Sequence, residues 1–247
     1  MHGELKQGHS APLPMPIGGG GQVAVHMIEF SPLDFDVELF ARHGIVAPPE
    51  IVRSVRKRQA EFFHGRLAAR RALEPLGLGL ELAQIGIGQS RQPLWPAGII
   101  GSITHNGRYA AAVALDGARH VNSAGIGIDI ETVVAASMQD VLLATAVSGT
   151  ELDYLRGLAT ALDLNTLLSL VFSAKESFFK AAFNMVGRYF DFDAIVLVHM
   201  DTQQRLMRFR VEQTLCRELA GGAFHEVHFT LVDAETVLTS CHLPRIR

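Results

Sequence analysis

Isoleucine occupies every second position of the segment 125–131, at positions 126, 128 and 130. Because side chains alternate across a β-strand, this pattern predicts a strand that buries its isoleucines and turns Gly127, Asp129 and Glu131 to the opposite face. A shift of one residue in register would bury both acids, which ties the strand to one arrangement. The chain must therefore hold two carboxylates about 7 Å apart on one face of a fixed strand.

These two carboxylates have two interpretations. They could be the polar outer face of an edge strand, since an exposed acidic pair on a strand is common. They could instead be ligands of Mg²⁺, which binds one or two protein carboxylates together with phosphate oxygens and water. In the second interpretation, Gly127 leaves open space beside the acids for a bulky ligand. The segment alone does not decide between them.

Composition narrows the class of protein. The chain has 247 residues, 48% of them hydrophobic, enough for a substantial globular core. Its net charge of −3 argues against an extended nucleic-acid-binding face. The two cysteines lack metal-type spacing, and neither a membrane-spanning apolar run nor a secretion signal is present. We expect a soluble cytoplasmic protein that binds neither nucleic acid nor membrane.

The chain divides into a flexible start and two halves of similar design. Residues 1–22 are rich in proline and glycine, which predicts a flexible N-terminal segment. A polar stretch separates an N-terminal half, 23–118, from a C-terminal half, 119–247. Each half offers a helix followed by strands, which predicts an α/β (α+β) fold. The predicted strands are 23–30, 84–88, 101–105, 109–115, 125–131, 194–199, 206–211, 226–232 and 237–243, and the main helices are 50–76 and 167–186.

The helix predicted over 50–76 carries a dense basic segment in a mildly acidic protein. Most of these charges fit a solvated helix face. Arg66 and Arg70 are one turn apart and would project together, and Arg58 lies two turns before Arg66. Since a guanidinium group donates two hydrogen bonds to a phosphate at once, these arginines could also bind one polyanion.

A predicted hairpin places His105 beside its turn. Residues 101–105 and 109–115 have strand composition, and Asn106-Gly107 between them is typical of a tight turn. A histidine at this position could face a ligand. It could equally be a structural residue that hydrogen-bonds the turn.

The helix predicted over 167–186 combines aromatic residues with charges. Phe172, Phe179, Phe183 and Val186 are expected to line its buried side. Glu176 and Lys180 are four residues apart, so a simple salt bridge on the helix surface would explain them. Before this helix, Ser148-Gly-Thr-Glu151 predicts a capping box, and that role alone could account for Glu151.

Five blocks in a fixed order carry a resemblance. They are 58–66 (RQAEFFHGR), 91–96 (RQPLWP), 101–105 (GSITH), 127–131 (GIDIE) and 172–180 (FSAKESFFK). Together they resemble the 4'-phosphopantetheinyl transferases, in particular the larger, enterobactin synthetase component D-like type. Members move the phosphopantetheine arm of coenzyme A to a serine of an apo acyl, peptidyl or aryl carrier protein, releasing adenosine 3',5'-bisphosphate. The resemblance implies a pseudo-dimer of two similar halves, each a small, mostly antiparallel sheet packed with helices, with the active site at their junction.

The resemblance also implies a role for each matching residue. Asp129, Glu131 and Glu176 would hold Mg²⁺, although oxygen ligands also suit Mn²⁺. Lys180 would contact the coenzyme A phosphates and stabilise the leaving group, with Lys175 nearby. Glu151 would help to deprotonate the carrier serine. The remaining implied coenzyme A contacts are Arg58 and Arg66 at the 3'-phosphate, His105 at a phosphate with Thr104 beside it, and Arg91, which supplies a charge next to Gln92 where relatives have lysine.

Two other classes of protein share part of this pattern. A Mg²⁺-dependent nuclease also uses clustered acids and a lysine, but the lysine spacing differs here and the acidic balance disfavours extended DNA contact. A non-catalytic binding protein of the same fold would not need an intact set of Asp129, Glu131, Glu176 and Lys180. We therefore expect a monomeric transferase, and the sequence leaves the carrier protein and its pathway open.

Overall fold

A computed structural model describes residues 12–17, 21–78, 84–158 and 162–245. The chain forms two compact units. The first contains Val23–Arg119 and the chain up to Met15, and the second contains His120–Arg247 and Pro16–Gln22. The division after Arg119 lies next to the expected boundary. None of the helices in the described ranges is long and apolar enough to cross a membrane.

The first unit contains most of a four-stranded sheet of order β1-β2-β6-β5, in which β6 pairs antiparallel with both β2 and β5. The end of β1 and the start of β2 are grouped with the second unit. We predicted that residues 1–22 form a flexible segment. That prediction is wrong for residues 13–17 and for the start of β2, which belong to this sheet. Residues 1–11 and 18–20 lie outside the described ranges. The elements of this unit are β1 (Leu13–Ile17), β2 (Gly21–Glu29), α1 (Glu38–Arg42), α2 (Pro49–Val52), α3 (Arg56–Leu73), β3 (Gly86–Ile87), β4 (Pro93–Leu94), β5 (Ile99–His105) and β6 (Tyr109–Asp116).

The helix predicted over 50–76 is broken into two. Helix α2 ends at Val52 and α3 begins at Arg56, since Val55 has an extended backbone. The break is stabilised by Gln59, whose side-chain amide donates to the carbonyls of Val52 and Ser54 at 2.8 and 3.1 Å. Helix α3 is followed by a 3₁₀ turn that ends at Gly77 with φ +75°, near the predicted end. Its apolar residues pack on β6, whose alanines leave room for the helix.

His64 is an unusual member of the α3 core. Its ring stacks on Phe30 with 4.3 Å between centroids and meets Phe63 edge to face, and its Nδ1 lies 2.8 Å from the Ala60 carbonyl oxygen. Burial lowers the pKa of His64 to about 4, with the Ala60 carbonyl opposing the fall and His43 and Arg71 adding to it. The folded first unit therefore holds this imidazole neutral.

We expect the first unit to lose stability between pH 7 and pH 5 because of His64. The unfolded chain, with a histidine pKa near 6.5, binds the proton first, so stability is present above that value and is lost as pH falls towards 4. The loss by pH 5 amounts to about 2 kcal/mol in the free energy of unfolding. Denaturant unfolding followed by fluorescence of Trp95, the chain's single tryptophan, measures it. His64→Phe should flatten this pH dependence and the exposed control His199→Gln should not, whereas equal slopes in wild type and His64→Phe would contradict the assignment.

The second unit is a five-stranded sheet of order β7-β11-β10-β9-β8 crossed by one long helix, α6. Every pairing in this sheet is antiparallel, and the fourth C-terminal strand expected over 237–243 is present. The elements are β7 (Ser123–Thr132), α4 (Gln139–Thr145), α5 (Gly149–Gly157), α6 (Leu164–Val186), β8 (Ile195–Asp201), β9 (Leu206–Val211), β10 (Phe224–Asp233) and β11 (Thr236–Pro244). Mixed α/β units with antiparallel sheets confirm the predicted fold class.

The predicted buried side of α6 is wrong. Phe172, Phe179, Phe183 and Val186 are only partly buried, whereas Phe178 is completely buried in the core. The helix is apolar around most of its circumference, so apolar spacing alone does not determine which of its aromatic residues are buried. The side that meets β7 carries small residues instead, among them Ser177 and Ala181, because strand and helix approach too closely for aromatic rings. Phe179 and Phe183 pack with Tyr189.

Candidate active site

Strand β7 carries the two acids as predicted. It pairs with β11 so that Asp129 lies opposite Thr239 and Glu131 opposite Val237. The isoleucines at 126, 128 and 130 are at most 2% exposed, which confirms the alternation. Asp129, on the other face, is only 3% exposed because α6 covers it. The acids therefore do not form a solvated polar edge.

The predicted role of Gly127 is wrong. A Cβ at Gly127 would lie 1.9 Å from the carbonyl oxygen of Ser177, and one at Gly125 would lie 2.0 Å from that of Ala181. Both glycines therefore face the backbone of α6 and leave no open space for a ligand. Their missing side chains allow α6 to pack directly on the strand that carries the acids.

Buried hydroxyl groups fix α6 against two strands. Ser173 donates from Oγ to the carbonyl oxygen of Asp129 at 3.1 Å, and its Oγ lies 2.9 Å from the hydroxyl of Thr239. Thr239 in turn donates to the carbonyl oxygen of Ser173 at 2.8 Å. Because these groups are 0% exposed, their hydrogen bonds are costly to break. The helix is thus held in one register beside Asp129.

Lys180 joins the helix to the strand. Its Nζ lies 2.6 Å from Oδ1 of Asp129 and donates to the carbonyl oxygen of Ile128 at 3.3 Å. The contact spans 51 residues of sequence. The local salt bridge with Glu176, four residues away, is therefore not what explains this lysine.

Glu131 and Glu176 belong to the same electrostatic group. Burial and the neighbouring Asp129 carboxylate raise the pKa of Glu131 to about 8. Lys180 opposes that rise, and Glu176 adds to it. Burial likewise raises the pKa of Glu176, and Lys180 again opposes the rise. Three acids and one lysine, which we call the acid–lysine cluster (Asp129, Glu131, Glu176 and Lys180), therefore interact with one another.

The acid–lysine cluster suits a divalent cation by its chemistry. Within the described ranges, no three His, Cys, Asp or Glu side chains already converge as a metal site. The three carboxylates are nevertheless hard oxygen donors, and burial together with the neighbouring carboxylates makes the ionised forms of Glu131 and Glu176 costly. A nearby cation of higher charge would relieve that cost. The donor set therefore fits Mg²⁺.

Glu151 and Lys175 lie apart from this cluster. Ser148 is the N-cap of α5 and forms the predicted capping box with Glu151. Both oxygens of Glu151 lie 2.9 Å from Nζ of Lys175, and the two side chains are at most 2% exposed. Lys175 is thus paired with Glu151, although we expected it near a coenzyme A phosphate and expected Glu151 near the serine.

A pocket in the first unit gathers four predicted binding residues. It has a volume of about 320 Å³ and is lined by side chains from α3, from the turn between β3 and β4, and from the end of β5. The predicted residues in its wall are Arg58, Arg66, Arg91 and His105. Thr104 is 3% exposed and is not part of the wall, as expected for the neighbour of His105 on an alternating strand.

Arg58 and His105 contact each other in this pocket. Nη1 of Arg58 lies 3.0 Å from Nε2 of His105. Glu61, which our sequence analysis missed, lies 3.7 Å from Arg58 and 3.8 Å from Nδ1 of His105. Because Glu61 follows Arg58 by three residues on a helix, the sequence could have indicated that the two side chains are neighbours. Glu61 lies against both side chains, Arg58 and His105.

Arg66 is the most buried cation of the pocket. It donates from Nε to the carbonyl oxygen of Ile85 at 2.8 Å, and its guanidinium lies 4.5 Å from the centre of the Phe62 ring. Burial, with a smaller effect from Arg58, lowers the pKa of Arg66 to about 10. An anion bound here would stabilise the charged guanidinium.

The turn between β3 and β4 explains how Arg91 reaches the pocket. Arg91 has φ +63°, in the left-handed region, and Gln92 accepts a hydrogen bond from the Ser90 amide at 3.0 Å through Oε1. The side chain of Gln92 is thus used inside the turn. Arg91 supplies the charge in the pocket wall, in agreement with our expectation for this pair.

Arg70 does not join Arg66. It donates to the carbonyl oxygens of His43 and Gly44 at 2.5 and 3.3 Å, whereas Arg66 turns to Ile85. Arg56, at the start of α3, likewise donates to the carbonyl oxygen of Phe35 at 2.9 Å. Several arginines of the basic segment therefore bind backbone carbonyls of the first unit.

Comparison with known proteins identifies the family. The family model of the 4'-phosphopantetheinyl transferase N-terminal domain matches residues 48–115, and that of the 4'-phosphopantetheinyl transferase superfamily matches residues 125–232. The chain belongs to the 4'-phosphopantetheinyl transferase superfamily, a class of transferase enzymes. The first match contains all the predicted residues of the pocket, and the second contains the acid–lysine cluster.

Within that superfamily the chain is similar to enterobactin synthase component D. It is 32% identical to the protein of Escherichia coli O157:H7 over 206 residues, which cover 78% of this chain and 92% of the relative. It is 36% identical to that of Salmonella typhi over 171 residues, 68% of this chain and 64% of the relative. It is also 39% identical to 4'-phosphopantetheinyl transferase Svp of Streptomyces mobaraensis over 144 residues, 58% of this chain and 55% of the relative. The chain thus spans less than two thirds of the Salmonella and Streptomyces relatives.

Proposed function

We propose that this protein transfers the 4'-phosphopantetheine arm of coenzyme A to a serine of an apo carrier protein. The serine oxygen attacks the phosphorus that bears the arm, the pyrophosphate bond breaks, and adenosine 3',5'-bisphosphate leaves while the serine proton passes to solvent or a base. The observation that carries the proposal is the partly buried contact between Lys180 and Asp129 within the acid–lysine cluster of a member of this superfamily. Family membership also selects a transferase over the nuclease considered above.

The acid–lysine cluster accounts for the chemical step. Asp129, Glu131 and Glu176 would hold Mg²⁺, or Mn²⁺ in its place, and such an ion neutralises charge on pyrophosphate oxygens. The ammonium of Lys180, which contacts Asp129, would stabilise charge that develops on the leaving phosphate. Because the surroundings are largely buried, this electrostatic stabilisation is stronger than it would be in water.

The pocket of the first unit accounts for binding. Arg58 and Arg66 suit the 3'-phosphate end of coenzyme A, and His105 and Arg91 suit further phosphate oxygens. Thr104 lies outside the pocket wall, so we propose no direct phosphate contact for it. Binding energy at groups distant from the reacting phosphorus positions that phosphorus for attack.

The assay uses the full chain with coenzyme A, Mg²⁺ and a panel of apo carrier proteins. Peptidyl and aryl carriers come first, because several relatives are named for enterobactin synthesis. We expect a carrier to gain the mass of one phosphopantetheine group and adenosine 3',5'-bisphosphate to appear in equal amount. No mass gain on acyl, peptidyl or aryl carriers would reject the proposal and favour a non-catalytic binding protein.

Arg58→Ala is expected to raise the KM for coenzyme A about tenfold or more while changing kcat much less. A lost charge-assisted contact to a bound phosphate costs about 1.5–3 kcal/mol, and this contact is made before and during the reaction alike. Steady-state kinetics with varied coenzyme A measure the effect. The control is Arg53→Ala, because Arg53 is exposed and does not line the pocket. An unchanged KM in Arg58→Ala would remove Arg58 from the binding site.

A further inference from the structure

We infer that Glu151 and Lys175 form a positioning pair for helix α6, and that Glu151 does not accept the proton of the attacking serine. The inference rests on the proposed function for its kinetic part. It reassigns two residues that the family resemblance places in the chemistry.

The oxygens of Glu151 already accept several hydrogen bonds. Oε1 accepts from the backbone amide of Leu197 at 2.8 Å, and Oε2 accepts from that of Ser148 at 2.8 Å. Lys175 donates to the same carboxylate from Nζ at 2.9 Å. With Glu151 only 1% exposed, its carboxylate is surrounded by donors and excluded from bulk water.

The hydrogen bonds of this carboxylate leave it poorly placed to act as a base. A protonated Glu151 would be a weaker acceptor for the two backbone amides. It would also leave the ammonium of Lys175, itself 2% exposed, without its counter-charge. Breaking a buried pair by removing one partner is strongly destabilising, so the contact between Glu151 and Lys175 is a structural one.

The pair joins three elements. Ser148 caps α5, Leu197 lies on β8, and Lys175 lies on α6 directly before Glu176. Consecutive residues of a helix point about 100° apart, so holding Lys175 towards α5 and β8 turns Glu176 to another side. On that side Glu176 and Lys180 interact with Asp129. The pair therefore fixes the rotation of α6 that assembles the acid–lysine cluster.

A cavity of about 170 Å³ reaches the pair from the side of α4. Its wall is mostly apolar and backbone, and Asp193 is the other charged residue in it. If the attacking serine used this cavity, Glu151 would act as its base. That alternative predicts a different response to pH.

The test compares wild type with Glu151→Gln and with the double variant Glu151→Gln/Lys175→Gln, as full chains with coenzyme A, Mg²⁺ and an apo carrier. kcat is measured from pH 5.5 to 9, and Tm is measured separately. We expect Glu151→Gln to lower Tm, to lower kcat at most about tenfold, and to keep the acidic limb of the pH profile. The double variant should regain part of the lost Tm, because it removes the unpaired ammonium.

A general base contributes about 10²–10⁴-fold to a rate. Loss of the acidic limb, or a fall of that size in folded variants with unchanged Tm, would overturn the inference. If Glu151→Gln fails to fold, the double variant decides, since it has no orphaned charge. If wild type itself transfers nothing, the proposed function fails, yet the Tm values still test the pairing.

Discussion

Asp129→Ala is expected to reduce phosphopantetheine transfer by at least about a hundredfold at ordinary Mg²⁺ concentrations. The substitution removes a carboxylate that lies 2.6 Å from Lys180 and that interacts with both glutamates of the acid–lysine cluster. Losing one preorganised electrostatic contact at a reacting phosphate commonly costs 10²–10³ in kcat. Transfer to an apo carrier, followed by mass spectrometry over time, measures the loss.

The control for Asp129→Ala is Asp153→Ala. The side chain of Asp153 is 81% exposed and makes only a distant pair with Arg156 at 4.0 Å, so its removal should leave the rate unchanged. Circular dichroism and Tm show whether both variants keep the fold. Undiminished transfer by folded Asp129→Ala would remove this residue from the metal site.

Gly127→Ala is expected to lower the free energy of unfolding by about 3 kcal/mol or more, and to abolish transfer as a consequence. The added methyl group would lie 1.9 Å from the carbonyl oxygen of Ser177 and 2.6 Å from the amide nitrogen of Ala181. Both are backbone atoms, so no side-chain rotation relieves the clash and α6 must shift away from β7. Denaturant unfolding monitored by circular dichroism gives the change.

Gly157→Ala provides the matched control. Gly157 is the last residue of α5, and a Cβ there would meet no atom of the described residues within 4 Å. Since alanine has the higher helix propensity, this variant should be unchanged or slightly more stable. Equal stability of Gly127→Ala and wild type would mean that α6 does not pack as closely on β7 as described.

The regular strands were readable from sequence, whereas the faces of α6 were not. The alternation in 125–131 predicts β7, because isoleucine at every second position is typical of a strand with one buried face. The strand predicted over 206–211 has the same bounds in the structure. For α6, the sequence does not show whether Phe178 or Phe179 is the buried phenylalanine. Only the close approach of β7 determines which of them is buried, and that approach depends on glycines whose partner the sequence does not reveal.

In the candidate site, too, some residues are predictable from sequence and others depend on tertiary packing. Asp129 and Glu131 follow from local spacing, and the pocket residues from motif order. From sequence, a local salt bridge with Glu176 also explained Lys180. The contact of Lys180 with Asp129 spans 51 residues, so the residues next to Lys180 do not predict it. Glu151 was ambiguous for a related reason. Its capping role is local and predictable, but its burial against Lys175 and β8 arises only from tertiary packing.

Three arginines of α3 affect how the first unit unfolds locally. Arg56, Arg66 and Arg70 donate to backbone carbonyls at Phe35, Ile85 and His43, so three separate segments depend on one helix for part of their hydrogen bonding. Segments that hydrogen-bond to the same helix are expected to unfold locally together with that helix rather than one at a time. In hydrogen exchange, the stretches around residues 35, 43 and 85 should therefore behave as one cooperative unit with α3. The walls of the pocket in the first unit would then persist or be lost together.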